Sequence, residues 1–152
     1  MEIQANNILL NLRVKDQDDL LRIISQQAVC CHYTVSAKDL YISFVNREKD
    51  YSTGLQEGFA IPHAKSEAVK AAGIIYARLL SPIDWQTYDN QPVTDVFALM
   101  VPKEGAGTRH LKMLSNLATA LLDENFKRKL RSLKRSDKIA HYISKEIGVD
   151  KI

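Results

Sequence analysis

The sequence predicts an α/β sandwich, and three observations carry that reading. Stretches with strand character fall in the middle of the chain. Segments with helical spacing fall at both ends. Capping residues, glycines and prolines mark the boundaries between them.

Taken in order, Ile8-Leu9-Leu10 reads as an edge segment. Asp16 can cap a helix running through Leu20, Ile23, Ile24 and Ala28, with Asp18 and Asp19 placed favourably in its first turn. Ser36 can cap a second helix, with Leu40, Tyr41, Phe44 and Val45 on one face and Arg47 near its end. Phe59-Ala60-Ile61 reads as a short strand. Pro62 has no N–H and pushes Ile61 toward extended backbone, so the ladder is expected to stop there. Gly73 to Leu80 reads as a strand ended by Pro82, and Val93 to Val101 as another ended by Pro102. The run from Val96 is continuously apolar, as in a strand covered on both faces. Gly105-Ala106-Gly107 makes a loop, and Thr108 can cap a helix carrying Leu111, Leu114, Leu117 and Leu121. Two more helical patterns follow, one with Phe126, Leu130 and Leu133, the other with Ile139, Tyr142 and Ile143.

The 152 residues suit a single domain over 1–152, long enough for a real core. Hydrophobic content of 45% and charged content of 26% are ordinary for a globular protein. A net charge of +3 is too small to imply a polyanion partner. No signal peptide is visible, and the apolar runs are too short to span a bilayer, so no membrane insertion is expected. Cys30 and Cys31 are adjacent and no Cys-x-x-Cys exists, which makes a reducing cytoplasm the simplest compartment. Phe126 to Lys138 holds seven Lys/Arg and one Asp. Without interleaved aromatics it reads as a solvated helical face rather than a nucleic-acid surface, and it could aid docking of an acidic protein. His32, His63, His110 and His141 lack zinc-enzyme spacing, and Gly105-x-Gly107 lacks the Lys of a phosphate loop. No metal and no cofactor is therefore expected. A metal hydrolase using His63 and His110 is the third and weakest functional reading.

The segment Thr53-Gly54-Leu55-Gln56-Glu57-Gly58-Phe59-Ala60-Ile61-Pro62-His63-Ala64-Lys65-Ser66 is the most informative of the chain. It places His63 at the tip of a strand, facing solvent, where a neutral imidazole is a nucleophile. Gly58-x-Ala60-Ile61-Pro62-His63-Ala64-Lys65 resembles the phosphorylation motif of the enzyme IIA domains of the bacterial sugar phosphotransferase system, fructose–mannitol type. Further pieces resemble that family in the same order: Asn46-Arg47-Glu48, Ser81-Pro82-Ile83-Asp84-Trp85, Asp89-Asn90-Gln91-Pro92-Val93, and His110-Leu111 leading into Leu114, Leu117, Ala118 and Leu121. The chain departs from the family at Gln56, where a small residue is usual, and at Ala64, where glycine is frequent. Gln56 leaves the conformation of the loop before the site open.

The resemblance implies a mixed sheet with helices on both faces. It implies that His63 accepts a phosphoryl group from the phosphocarrier protein HPr and passes it to a IIB domain, and through it to a membrane IIC permease. It also implies Arg47 as a phosphate-stabilising residue, since guanidinium binds phosphate in a bidentate way. His110 is implied as a supporting residue at a helix N-terminus, where N–H groups attract anions. Thr53 could donate a further hydrogen bond, and Asp89 could orient a donor. The competing implication is a nitrogen-type regulatory module, in which the same phosphorylation controls protein partners. The sugar itself is not legible, because such a chain touches only protein-borne phosphate.

Overall fold

Two short polar side chains start the N-terminal helices. Asp16 accepts from the Asp19 N–H at 2.8 Å and Ser36 from the Asp39 N–H at 3.1 Å, so both expected caps form. They open α1 (Gln17–Cys30) and α2 (Ala37–Asp50). The computed structural model describes residues 3–104 and 108–148, and the side chains of 108–110 lie outside that description.

Between α2 and the C-terminal helices lies most of the sheet. Its strands are β1 (Ile8–Leu12), β2 (Phe59–Ala60), β3 (His63–Ser66), β4 (Gly73–Ile83) and β5 (Val93–Pro102). The order is β1-β4-β5-β2, with β3 also on β5. β4 and β5 are antiparallel, with Tyr76 opposite Phe97. β1 runs parallel to β4, and β2 and β3 run parallel to β5. The sheet is therefore mixed, and Ile8–Leu10 lies in an edge strand. Along β5, Val96, Ala98 and Met100 pack with Leu20, Ile24, Leu40 and Phe44 of α1 and α2. Phe97 and Leu99 pack on the other face with residues of α3 (Thr108–Ala120), α4 (Glu124–Ser132) and α5 (Ser136–Ile147). Helices cover both faces, which explains the uninterrupted apolar run.

Several boundaries differ from expectation. Pro82 does not end its strand: β4 continues to Ile83, because pairing with β5 slips between Arg78 and Ile83 and the residues 80–82 there face solvent. A proline is tolerated in such an irregular stretch. Pro62 only interrupts the edge strand. His63 therefore opens β3 rather than standing at the tip of β2, and the Pro62 carbonyl still accepts from the Leu99 N–H at 2.9 Å. On α3 the buried stripe is Met113 and Leu117, continued by Leu121 just past its end, whereas Leu111, half a turn from Met113, is 70% exposed. Thr108 is the first residue of α3 rather than the one before it, and the cap position lies outside the described residues. Leu133 follows the end of α4, whose cap is Asp123.

Candidate functional site

His63 is half-buried, and its Nδ1 lies 2.6 Å from the Ile61 carbonyl oxygen. A carbonyl can only accept, so Nδ1 carries the proton and the lone pair of the neutral ring sits on Nε2. Burial, and secondarily the Arg47 guanidinium, push the His63 pKa below the ordinary histidine range; the Ile61 hydrogen bond and Glu48 oppose that shift without reversing it. The ring is therefore neutral at pH 7, with one anchored nitrogen and one nucleophilic nitrogen.

Arg47 falls in the last turn of α2. Its Nη1 donates to the Tyr51 carbonyl at 3.1 Å and its guanidinium lies 4.6 Å from the centre of the Tyr51 ring. With Asn46, Lys65 and Ser66 it lines an open groove of about 500 Å³ between α2 and β3. Asp39 and Asp50 line the same groove, so its two cations are balanced by two carboxylates; what suits an anion is Arg47 itself, most of whose donors remain available.

Thr53 departs from expectation. Its Oγ1 donates to Glu48 Oε2 at 2.7 Å and its N–H to Glu48 Oε1 at 2.8 Å. The hydroxyl proton is thus committed to a carboxylate and is not free for a phosphoryl oxygen. Asp89 accepts the N–H of Glu57 at 2.9 Å and that of Gln91 at 3.1 Å, so it braces two turns. Those backbone bonds hold its carboxyl below the usual range. His110 is the third residue of α3, and its side chain lies outside the described residues.

Glu48 is the residue that the sequence reading left without a role. Besides Thr53 it accepts the Trp85 indole N–H at 2.9 Å. Its place in the Asn46-Arg47-Glu48 piece that resembles the family, and the presence of one tryptophan in the chain, were the signals available. A second brace comes from α4. Arg131 donates to the Glu57 carbonyl at 2.6 Å, and Lys127 lies 2.7 Å from the Glu57 carboxylate. Among the described residues, no group of three His, Cys, Asp or Glu side chains could hold a metal ion.

Fold and site together define an α/β sandwich that presents an anchored, neutral imidazole on an edge strand beside an arginine. Residues 1–146 match the family described as phosphoenolpyruvate-dependent sugar phosphotransferase system, EIIA 2, and the chain belongs to it. It is 38% identical over 130 residues to a nitrogen regulatory protein of Klebsiella oxytoca, covering 84% of this chain and 78% of that one. It is 37% identical over 102 residues to the fructose-specific EIIABC component of Bacillus subtilis, covering 67% of this chain and 16% of that protein's length. The chain thus spans about a sixth of that relative. The crystal structure of nitrogen regulatory protein IIA-Ntr from Neisseria meningitidis superposes with a TM-score of 0.84 at 28% identity, covering 91% of this chain and 94% of that one. Family members are phosphotransfer components, and relatives of both the sugar and the nitrogen kind are close. Among the described residues no helix is long and apolar enough to cross a membrane.

Proposed function

We propose that the chain is a cytoplasmic phosphocarrier, one EIIA domain over residues 1–152. It accepts a phosphoryl group from phospho-HPr on His63 and passes it to a IIB component during uptake of a fructose-like carbohydrate. The observation that carries the reading is the 2.6 Å contact of His63 Nδ1 with the Ile61 carbonyl. It leaves Nε2 as the nucleophile. The nitrogen lone pair attacks phosphorus, the bond from phosphorus to the donor nitrogen breaks, and the donor ring keeps that electron pair. Such a transfer needs in-line placement and donors for the phosphoryl oxygens more than acid–base work. Arg47 supplies donors from the end of α2. His110, in the first turn of α3, supports the phosphoryl group or the acceptor ring. The Bacillus subtilis relative is an EIIABC component, with A, B and C parts on one chain, which supports a IIB partner and, beyond it, a membrane IIC permease.

The nitrogen-regulatory reading is favoured by the 38% identity over 84% of the chain to the Klebsiella protein and by the TM-score of 0.84 to the Neisseria structure. The same His63 chemistry serves it, with the phosphorylation state read by protein partners. Incubation with enzyme I, HPr and phosphoenolpyruvate, followed by intact mass measurement, tests the shared step. One acid-labile phosphoryl group is expected, and none on His63→Ala. Phosphate retained by the variant would move the acceptor elsewhere, with His110 first. Adding a fructose-type IIB then separates the branches, because only a sugar carrier discharges to it at a rate comparable with its loading.

A further inference from the structure

We propose that Glu48 is the positioning residue that sets the orientation and tautomer of His63, acting through Thr53 and the Ile61 peptide. The connection is continuous on the page. The Glu48 carboxylate holds Thr53 by two bonds, from the N–H at 2.8 Å and from Oγ1 at 2.7 Å. The Thr53 carbonyl accepts the Ile61 N–H at 3.1 Å. The carbonyl of Ile61 accepts His63 Nδ1–H at 2.6 Å. Each link fixes the next, so the carboxylate on α2 determines where the Ile61 carbonyl points and which ring nitrogen keeps its lone pair.

The carboxylate is itself fixed. The Trp85 indole donates to Oε1 at 2.9 Å, and Thr53 and Trp85 are 5% and 9% exposed. Ser52 Oγ lies 3.3 Å from Oε1, but its better partner is the Gln86 carbonyl at 2.6 Å. Three donors thus converge on one acceptor-only group. Glutamine could keep both N–H donors on its one oxygen and donate its NH₂ to the Thr53 hydroxyl, whereas alanine leaves all three donors without an acceptor. Buried donors left unpaired shift until they find partners, and Thr53 would carry the Ile61 peptide with it.

The consequence for transfer rests on the reading of His63 as the acceptor, whereas the geometry does not. A ring released from the Ile61 carbonyl samples both tautomers and a range of orientations. Misplacement of a nucleophile by about 1 Å can slow a reaction about a hundredfold.

The test uses the whole unphosphorylated chain labelled with ¹⁵N. The imidazole nitrogen shifts of His63 report its tautomer directly, and Trp85, the one tryptophan in the chain, reports the carboxylate through its indole N–H resonance. Glu48→Ala should move the Trp85 resonance, convert the His63 pattern from a single Nδ1–H form to a mixture, and slow single-turnover phosphoryl acceptance by up to about a hundredfold. Thr53→Val, which removes only the hydroxyl donor, should do the same to a smaller degree, and Thr53→Ser should restore the wild-type pattern. A merely structural role for Glu48 would change stability and leave the ring shifts alone. Wild-type ring shifts in folded Glu48→Ala overturn the proposal. If that variant fails to fold, wild-type ring shifts in Thr53→Val overturn it instead. Failure of the wild-type chain to take up phosphate, with the tautomer pattern intact, would sink the phosphocarrier reading and not this one.

Discussion

Arg131 and Arg47 stand on helices that cover opposite faces of the sheet, and they use their donors in opposite ways. Arg131, on α4, pairs with Asp95 at 3.2 Å, donates to the Glu57 carbonyl at 2.6 Å and lies 4.4 Å over the Phe59 ring. Asp95 is 2% exposed and also takes the Tyr76 hydroxyl and Arg78. Arg78 closes the set by donating to the carbonyls of Leu130 and Leu133 at the end of α4. Arg47, on α2, has one hydrogen bond to a carbonyl and a contact with the Tyr51 ring, itself 71% exposed. The first arginine is consumed by the scaffold. The second keeps its fork open, as a residue that must meet an incoming anion has to. Local sequence does not separate the two, since both sit in the last turn of a helix; the partners do.

The comparison breaks most visibly at Asp95. Asp95→Ala leaves Arg78 and Arg131 without their shared carboxylate. Removing one partner of a buried ion pair costs about 3–5 kcal/mol. Because the Arg131 side chain is 38% exposed, water can reach it and the lower end of that range is expected. Denaturant unfolding at constant pH measures it, and a loss under about 1 kcal/mol would show that the α4 brace is ornamental.

Arg47→Ala should behave in the opposite sense. Stability stays within about 0.5 kcal/mol of the parent, since the residue closes no buried network. Acceptance of phosphate by His63 slows by roughly tenfold to a hundredfold, the value of a charge-assisted bond of about 1.5–3 kcal/mol. Single-turnover kinetics beside a denaturation curve gives both numbers. Wild-type kinetics would reduce Arg47 to a surface residue.

This division explains how far the sequence could be read. Helix caps at Asp16 and Ser36 were legible because they depend on neighbours three residues away. The sandwich was legible because apolar periodicity reports which faces are covered. His63 and Arg47 were legible only through resemblance, since spacing alone does not distinguish a reactive histidine from a surface one. What escaped were contacts closed over long separations. Glu48 meets Trp85 and Thr53 only after α2, the 52–54 segment and the end of β4 have been brought together. The commitment of the Thr53 proton could not be foreseen without that meeting. Pro62 and Pro82 were read as strand ends because the rule concerns a lost N–H. It is silent on whether the partner strand needs that N–H.

The smallest expected effect sharpens the comparison at the turn that Arg131 braces. The family usually places a small residue where Gln56 stands, and the sequence left the consequence open. In the structure the Phe59 N–H returns to the Gln56 carbonyl at 3.3 Å, closing a turn whose central residues are Glu57 at φ 58° and Gly58 at φ 85°. Those are the positions that need left-handed backbone, as in a type I′ turn. Gln56 is not among the described residues with positive φ, so a side chain there costs nothing. Gly58 suits its place, and Glu57 is held in its left-handed conformation from outside, by Asp89, Lys127 and Arg131. Gln56→Gly should therefore bring no relief of strain and only enlarge the freedom of the unfolded chain, lowering stability by about 0.4–1 kcal/mol. Phosphate acceptance should be unchanged. Urea midpoints at a constant slope, beside the same single-turnover assay, decide it. A gain in stability would place backbone strain at residue 56, whereas a loss above about 2 kcal/mol would make the Gln56 side chain a third support of the turn, beside α4 and Asp89.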